Sequence, residues 1–256
     1  MQTILISRVD AIGDVILTLP ICGYLKAQIP NCKIIFLCKS YTVPIVSCSA
    51  HIDEIINIDE LSKLSWAEQV VLLRSKQIQT VIHVLPNQNI SKLCKAAGIP
   101  NRIGTRNRWF HWLYCNRLVK LSRKNSDLHE AQLNIALSKP LIDKVPPAVN
   151  KLGAYYGLTP QETLKEEYKA LLQDDKQNII IHPKSSGSAR EWPLSNYNEL
   201  ISDLLAKGSY KIFISGTTKD AEGMREWLNA LPAGVENITG RLSLNQFIAF
   251  INECDA

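Results

Sequence analysis

The sequence predicts an α/β protein in two parts, each with a parallel sheet covered by helices. Three observations predict it. Short apolar runs recur along the chain: Ile4-Leu5-Ile6, Lys33–Cys38, Thr80–Leu85, Asn178–Ile181 and Lys211–Ser215. Their centres are continuously apolar rather than alternating, the pattern of strands buried on both faces. Segments with helical spacing separate them, which implies right-handed crossovers between parallel strands. Finally, 256 residues suffice for one large or two modest α/β domains. Pro140, Pro146 and Pro147 punctuate a connector, and the boundary is expected near residue 165, giving domains 1–165 and 166–256.

In chain order, the first strand runs into Arg8–Pro20, where Gly13 is expected to supply a permissive turn and Asp14 stands in the first turn of a helix. Pro20 should kink that helix. A strand follows at Lys33–Cys38, a short helix at 41–49, a strand at Glu54–Ile58, and a helix at 65–76. Thr80–Leu85 is a further strand, and a helix from Asn89 to Ala97 is closed by Gly98. This half is Rossmann-like.

From Arg102 to Lys124 basic residues interleave with Trp109, Phe110, Trp112 and Tyr114. The bland expectation is a solvated helix face whose aromatics pack inward. The alternative is a site for an acidic ligand, because guanidinium groups pair bidentately with carboxylate or phosphate. Stacking aromatics also suit single-stranded nucleic acid, but no nucleic-acid motif accompanies them. His129–Leu137 reads as a helix with His129 structural, and 163–173 as a helix leading into the second half. There, His182–Pro193 follows a strand. Its small residues, hydroxyls and Arg190 suit an anion approached by backbone N–H groups. Gly216–Glu222 and Asn237–Leu244 are the next strand-end loops. Asp220 is a natural helix cap, and Ser243 caps the helix running to Glu253.

Composition bounds the partners. A hydrophobic fraction of 46% and a charged fraction of 21% are ordinary for a globular protein. The net charge of +5 fits an acidic substrate or membrane surface without demanding nucleic acid. No run reaches the ~20 apolar residues of a membrane span, and the start carries no basic segment of a signal peptide. Seven cysteines lie singly, with no Cys/His cluster for a metal, so reduced, buried thiols in the cytoplasm are expected.

The stretch Arg8-Val9-Asp10-Ala11-Ile12-Gly13-Asp14-Val15-Ile16-Leu17-Thr18-Leu19-Pro20 resembles the N-terminal signature of the ADP-heptose–lipopolysaccharide heptosyltransferases, glycosyltransferase family nine. His129–Asn134 resembles the family's His-x-x-x-x-Asn segment, the loop before Trp192-Pro193 its Ser/Thr-plus-basic loop, Gly216–Glu222 its Gly-x-x-Lys-Asp-x-Glu turn, and Thr239–Leu244 its Thr-Gly-x-x-Ser-Leu loop. The resemblance implies the type-B glycosyltransferase architecture, two Rossmann-like domains facing a cleft. It implies heptosyl transfer from ADP-heptose to an inner-core sugar of lipopolysaccharide, inverting at the anomeric carbon.

Asp14 then corresponds to the catalytic base. Ser185, Ser186 and Arg190 correspond to the pyrophosphate site, Asp220 or Glu222 to the ribose contact, and Leu242 to an apolar contact with adenine. Arg102, Arg106 and Arg108 are the basic candidates for an acidic acceptor. No cofactor or metal is expected beyond the ADP-heptose co-substrate, and a cytoplasmic enzyme in peripheral contact with the inner membrane surface is implied. The family's Asp-[Ser/Thr]-Gly-x-x-His segment is not in the chain, which implies an incomplete second domain. Two rival readings stay open: a glycosyltransferase of the same fold using another nucleotide sugar, and a non-catalytic nucleotide- or glycan-binding remnant.

Overall fold

The structure is a computed structural model and describes residues 2–173, 175–185, 187 and 189–256. It divides into two compact units, Met1–Thr159 and Pro160–Ala256.

The first unit opens with β1 (Thr3–Ser7), buried along its whole length. Where one kinked helix was expected, two follow, α1 (Ile12–Ile16) and α2 (Leu19–Gln28). Pro20 explains the break. It sits in the first turn of α2, where its missing N–H costs no helical bond. Gly13 is not the turn residue that the sequence suggests. It lies inside α1, outside the left-handed region, and a Cβ there would meet nothing within 4 Å.

β2 (Lys33–Cys38) leads through a 3₁₀ turn into α3 (Val43–Ser47), then β3 (Glu54–Asn57), α4 (Ile58–Leu61) and α5 (Trp66–Ser75). Ser65 and Glu68 close a reciprocal capping box at the start of α5. β4 (Thr80–His83) and α6 (Gln88–Ala96) follow, with Gly98 left-handed at φ 77° just beyond α6.

The basic and aromatic stretch is not one helix face. It forms β5 (Asn101–Thr105), α7 (Trp109–Tyr114) and β6 (Arg117–Val119). The expectation of inward-packing aromatics fails here, because the two tryptophans of α7 point to solvent. α8 (Glu130–Ala136) starts on His129, whose Nδ1 accepts from Ala131 N while its own N–H donates to Gln132. His129 is thus a cap. All six strands are parallel, in the order β3-β2-β1-β4-β5-β6.

The second unit begins with α9 (Glu166–Lys169), far shorter than the expected helix over 163–173. Beyond its end, the side chain of Asn178 accepts from Gln173 N and donates to Gln173 O. β7 (Gln177–Ile181), α10 (Leu194–Ala206), β8 (Tyr210–Ile214), α11 (Thr218–Gly223), α12 (Arg225–Asn229), β9 (Val235–Asn237) and α13 (Leu244–Asn252) complete it. The strands are parallel in the order β7-β8-β9. Phe213 and Phe250 meet edge to face at 4.9 Å in its core. Each unit is therefore the Rossmann-like layer that the sequence suggests. Among the described residues no helix is long and apolar enough to cross a membrane.

His83 ends β4 opposite Ser7 of β1, fully buried, and stacks on His111 at 5.8 Å. Among the described residues neither of its ring nitrogens has a hydrogen-bond partner. Burial pushes its pKa down from the ordinary 6.5 to about 3, assisted by His111 and Arg102. The folded state thus holds this ring neutral where the unfolded chain protonates it. Stability is fully present above pH 6.5 and falls as pH drops toward 3, because the unfolded state binds the extra proton. Denaturant melts at about pH 7.5 and 5 should show the wild type losing about 2 kcal/mol more than His83→Leu over that interval. Equal losses would show that His83 does not titrate on unfolding.

Candidate active site

In the six-stranded sheet β2 lies on one side of β1 and β4 on the other. The connections leaving the carboxyl ends of β1 and β4 therefore part, and a crevice forms at such a switch point. A cavity of about 350 Å³ occupies that place. Its walls come from residues after β1 (Arg8, Asp14), after β4 (Val84–Pro86), at and after β5 (Thr105, Asn107, Arg108), and from Arg123 and Glu130.

Arg8 organises the cavity. It follows directly on β1, its backbone N–H bonded to Leu37 O, and its side chain is only 6% exposed. Nε donates to Asp10 Oδ1 at 2.6 Å, and Nη2 forms an ion pair with Asp14 Oδ1 at 2.6 Å. Nη1 lies 3.9 Å from Glu130 Oε1. One buried guanidinium thus holds carboxylates from three positions, the compensation that a buried cation requires. The two aspartates differ. Burial raises the pKa of Asp10, opposed by Arg8 and reinforced by the charge of Asp14. Asp14, 43% exposed, is the one that lines the cavity.

Glu130 continues the network, accepting from Arg123 Nε at 2.8 Å. Arg123 Nη2 donates to Asn134 Oδ1, and Asn134 Nδ2 donates to Leu17 O at the break between α1 and α2. Thr18 Oγ1 bridges the same break by donating to Asp14 O at 2.8 Å. Residues 129–134 thereby pin the segment that carries Asp14.

Of the basic candidates, Arg108 reaches the cavity, at the residue that precedes α7. Arg102 does not line it. Its guanidinium donates to the carbonyls of Tyr114 and Ile99 and ties α7 to β5. Arg106 also lies outside the lining, stacked over the Trp112 ring at 5.6 Å.

The other candidates gather at the carboxyl ends of β7, β8 and β9. In the first loop Ser185 donates from N and Oγ to Glu191 Oε1, and Lys184 pairs with the same carboxylate at 2.8 Å. Those donors hold the Glu191 carboxyl below its usual range. Arg190 is exposed beside them, and Ser186 and Ser188 lie outside the described residues. His182 Nδ1 meets Ser215 Oγ at 2.9 Å, a satisfied strand-end histidine.

Asp220 closes a capping box with Thr217. Burial pulls its pKa up, but the Thr217 donors outweigh that and lower it. Glu222 is exposed on α11. Gly240, left-handed at φ 69°, passes so close to Thr218 that a Cβ would come within 3.0 Å of it, which sets the Leu242 loop against the start of α11. Leu242 itself is half-buried against Phe213, Ile238 and Phe250. Among the described residues no group of three or more His, Cys, Asp or Glu is arranged to hold a metal ion.

Arg8 and Glu130 were not among the candidates that the sequence singled out, and Arg123 stood only within the basic stretch from Arg102 to Lys124. A signal for Arg8 existed: a cation directly after a fully apolar strand must be buried, and a buried cation needs carboxylates.

Comparison with known proteins identifies the family. Lipopolysaccharide heptosyltransferase 2 of Escherichia coli is 26% identical over 266 residues, covering 96% of this chain and 73% of that protein. Among solved structures, a glycosyl transferase family 9 protein from Veillonella parvula superposes with a TM-score of 0.75 at 20% identity, covering 99% of this chain and 73% of the other. The E. coli ADP-heptose lps heptosyltransferase II gives a TM-score of 0.72 at 24% identity, covering 99% and 77%. The family model for glycosyltransferase family 9 (heptosyltransferase) matches residues 71–256, most of the chain. The chain belongs to glycosyltransferase family 9, the heptosyltransferases, and is a glycosyltransferase.

Proposed function

We propose that this glycosyltransferase moves heptose from ADP-heptose to an inner-core sugar of lipopolysaccharide, with inversion at the anomeric carbon. The observation that carries the reading is the Asp14 carboxylate on the wall of the strand-end cavity, held by the buried guanidinium of Arg8. The names of the E. coli relatives supply the donor and acceptor class. In this reading Asp14 accepts the proton of the acceptor hydroxyl as that oxygen attacks the anomeric carbon. The bond from that carbon to the pyrophosphate breaks in the same step, and ADP leaves with the electron pair.

Residues 1–165 hold the acceptor and residues 166–256 the nucleotide sugar. Arg108 faces an acidic inner-core sugar from the cavity wall, with Arg102 and Arg106 setting the surrounding positive field. Arg190 and the Ser185–Ser188 loop receive the charge that develops on the leaving diphosphate. Glu222 or Asp220 meets the ribose hydroxyls. Asp220 is already engaged as a cap, which favours Glu222. Leu242 offers adenine an apolar edge. Charge neutralisation by Arg190 removes the need for a metal ion. The enzyme works in the cytoplasm, in peripheral contact with the inner membrane surface where its acceptor is anchored.

The donor assignment is tested by titrating the protein with ADP, ADP-heptose and other nucleotide sugars in a calorimeter. ADP-heptose should bind best, and Arg190→Ala should weaken ADP about 10- to 100-fold, the usual effect of losing one charged hydrogen bond. Unchanged ADP affinity in that variant would move the pyrophosphate site elsewhere. Tighter binding of a different nucleotide sugar would replace the donor.

A further inference from the structure

Residues 69–126 contain eleven Lys or Arg and no Asp or Glu, in a chain whose total net charge is +5. Within this stretch α7 turns an apolar face to solvent. Trp109, Trp112 and Leu113 are 65%, 58% and 54% exposed, and their spacing of three and four residues sets them on one side of the helix. The opposite side is occupied, since His111 is fully buried and packs against Phe110 and His83.

Cations surround the exposed face. The Arg106 guanidinium lies over the Trp112 ring, and Lys95 of α6 donates to Leu113 O at 2.8 Å. Lys92, one turn earlier on α6, stands 5.4 Å from the ring of a further exposed tryptophan, Trp66. A protein partner of ordinary composition would match the apolar face but not a run of residues, 69–126, that carries many cations and no carboxylate. Bulky indoles ringed by cations suit the interface of a bilayer with anionic headgroups, where the rings rest at headgroup depth and the cations meet phosphate.

We propose that the α7 face, through Trp109, Trp112 and Leu113 and with Lys92, Lys95 and Arg106 around it, docks this protein onto an anionic lipid bilayer. This deepens the reading of a membrane-anchored acceptor and rests on it for the identity of the membrane. Arg108 immediately precedes α7 and lines the Asp14 cavity, so a docked α7 sets that cavity beside the lipid surface.

The test is co-sedimentation of the protein with phosphatidylcholine vesicles, with and without phosphatidylglycerol, in the absence of donor and acceptor. Binding should require phosphatidylglycerol and weaken as salt is raised. Trp109→Ser with Leu113→Ser should reduce it about tenfold or more. Lys92→Glu, a surface change that leaves the aromatic face intact, should reduce it at least fivefold, about the effect of one cation at a charged bilayer. Absence of binding to the anionic vesicles would overturn the docking, as would binding indifferent to both variants. Binding of a single-stranded oligonucleotide that these variants abolish and vesicles do not compete would overturn it in favour of nucleic acid. Vesicle binding as expected, in a protein that transfers no heptose, would support the docking while removing the reading of the reaction.

Discussion

Asp14→Asn is expected to lower kcat by about 10²–10⁴-fold, the range for loss of a positioned general base. Asparagine keeps the size of the side chain and its place in the first turn of α1. It keeps an oxygen beside the Arg8 guanidinium but cannot take the acceptor's proton. The fold should persist, because the Thr18 hydroxyl bonds the backbone carbonyl of residue 14 and not its side chain. ADP affinity should also persist, since Asp14 belongs to the first unit and the donor candidates to the second. Steady-state kinetics with a calorimetric check of ADP binding reads both. Near-wild-type turnover would assign the base elsewhere, with Asp10 next in line by position.

Arg8→Met is expected to lower unfolding stability by about 3 kcal/mol, toward the lower end for one partner removed from a buried ion pair. The lower end applies because Asp14 is 43% exposed and water screens it in part. The variant leaves Asp10 and Asp14 facing each other without their shared cation, and Glu130 with Arg123 alone. The raised pKa of Asp10, set first by burial, should rise further once the opposing guanidinium is gone. Asp10→Asn in the Arg8→Met background should therefore restore part of the stability. A denaturant series on the two single variants and the double gives the coupling. Additive effects would show that Arg8 and Asp10 do not act together.

How much of this was legible follows the physics of each element. β1, β2, β4, β7 and β8 were readable because strands covered on both faces carry a short continuous apolar run, rich here in Ile, Val and Phe. β5 and β6 were not. Arg102 and Arg117 stand inside them, each long enough to carry its charge out of the sheet to a backbone or amide partner, so the run reads as basic instead of buried. The outward face of α7 was misread for a related reason: tryptophans at helical spacing normally mark a core, and nothing local shows that His111 already fills the inner side.

At the candidate site, the signature around Asp14 marked the residue at once. Its supporting network was hidden, because Arg8, Arg123 and Glu130 meet only through the fold, with more than a hundred residues between the first and the last two. The capping roles of His129, Thr217 and Ser243 were partly readable, since caps are fixed by residues three positions away.

The central claim is a single displacement in which one carboxylate, Asp14, deprotonates the acceptor while ADP departs. The anomeric configuration of the new glycosidic bond, read by NMR on the product that the protein forms from ADP-heptose and an inner-core acceptor, tests it most directly. A linkage opposite in configuration to the donor is the predicted result. A linkage that keeps the donor's configuration would contradict the single displacement and the role given to Asp14.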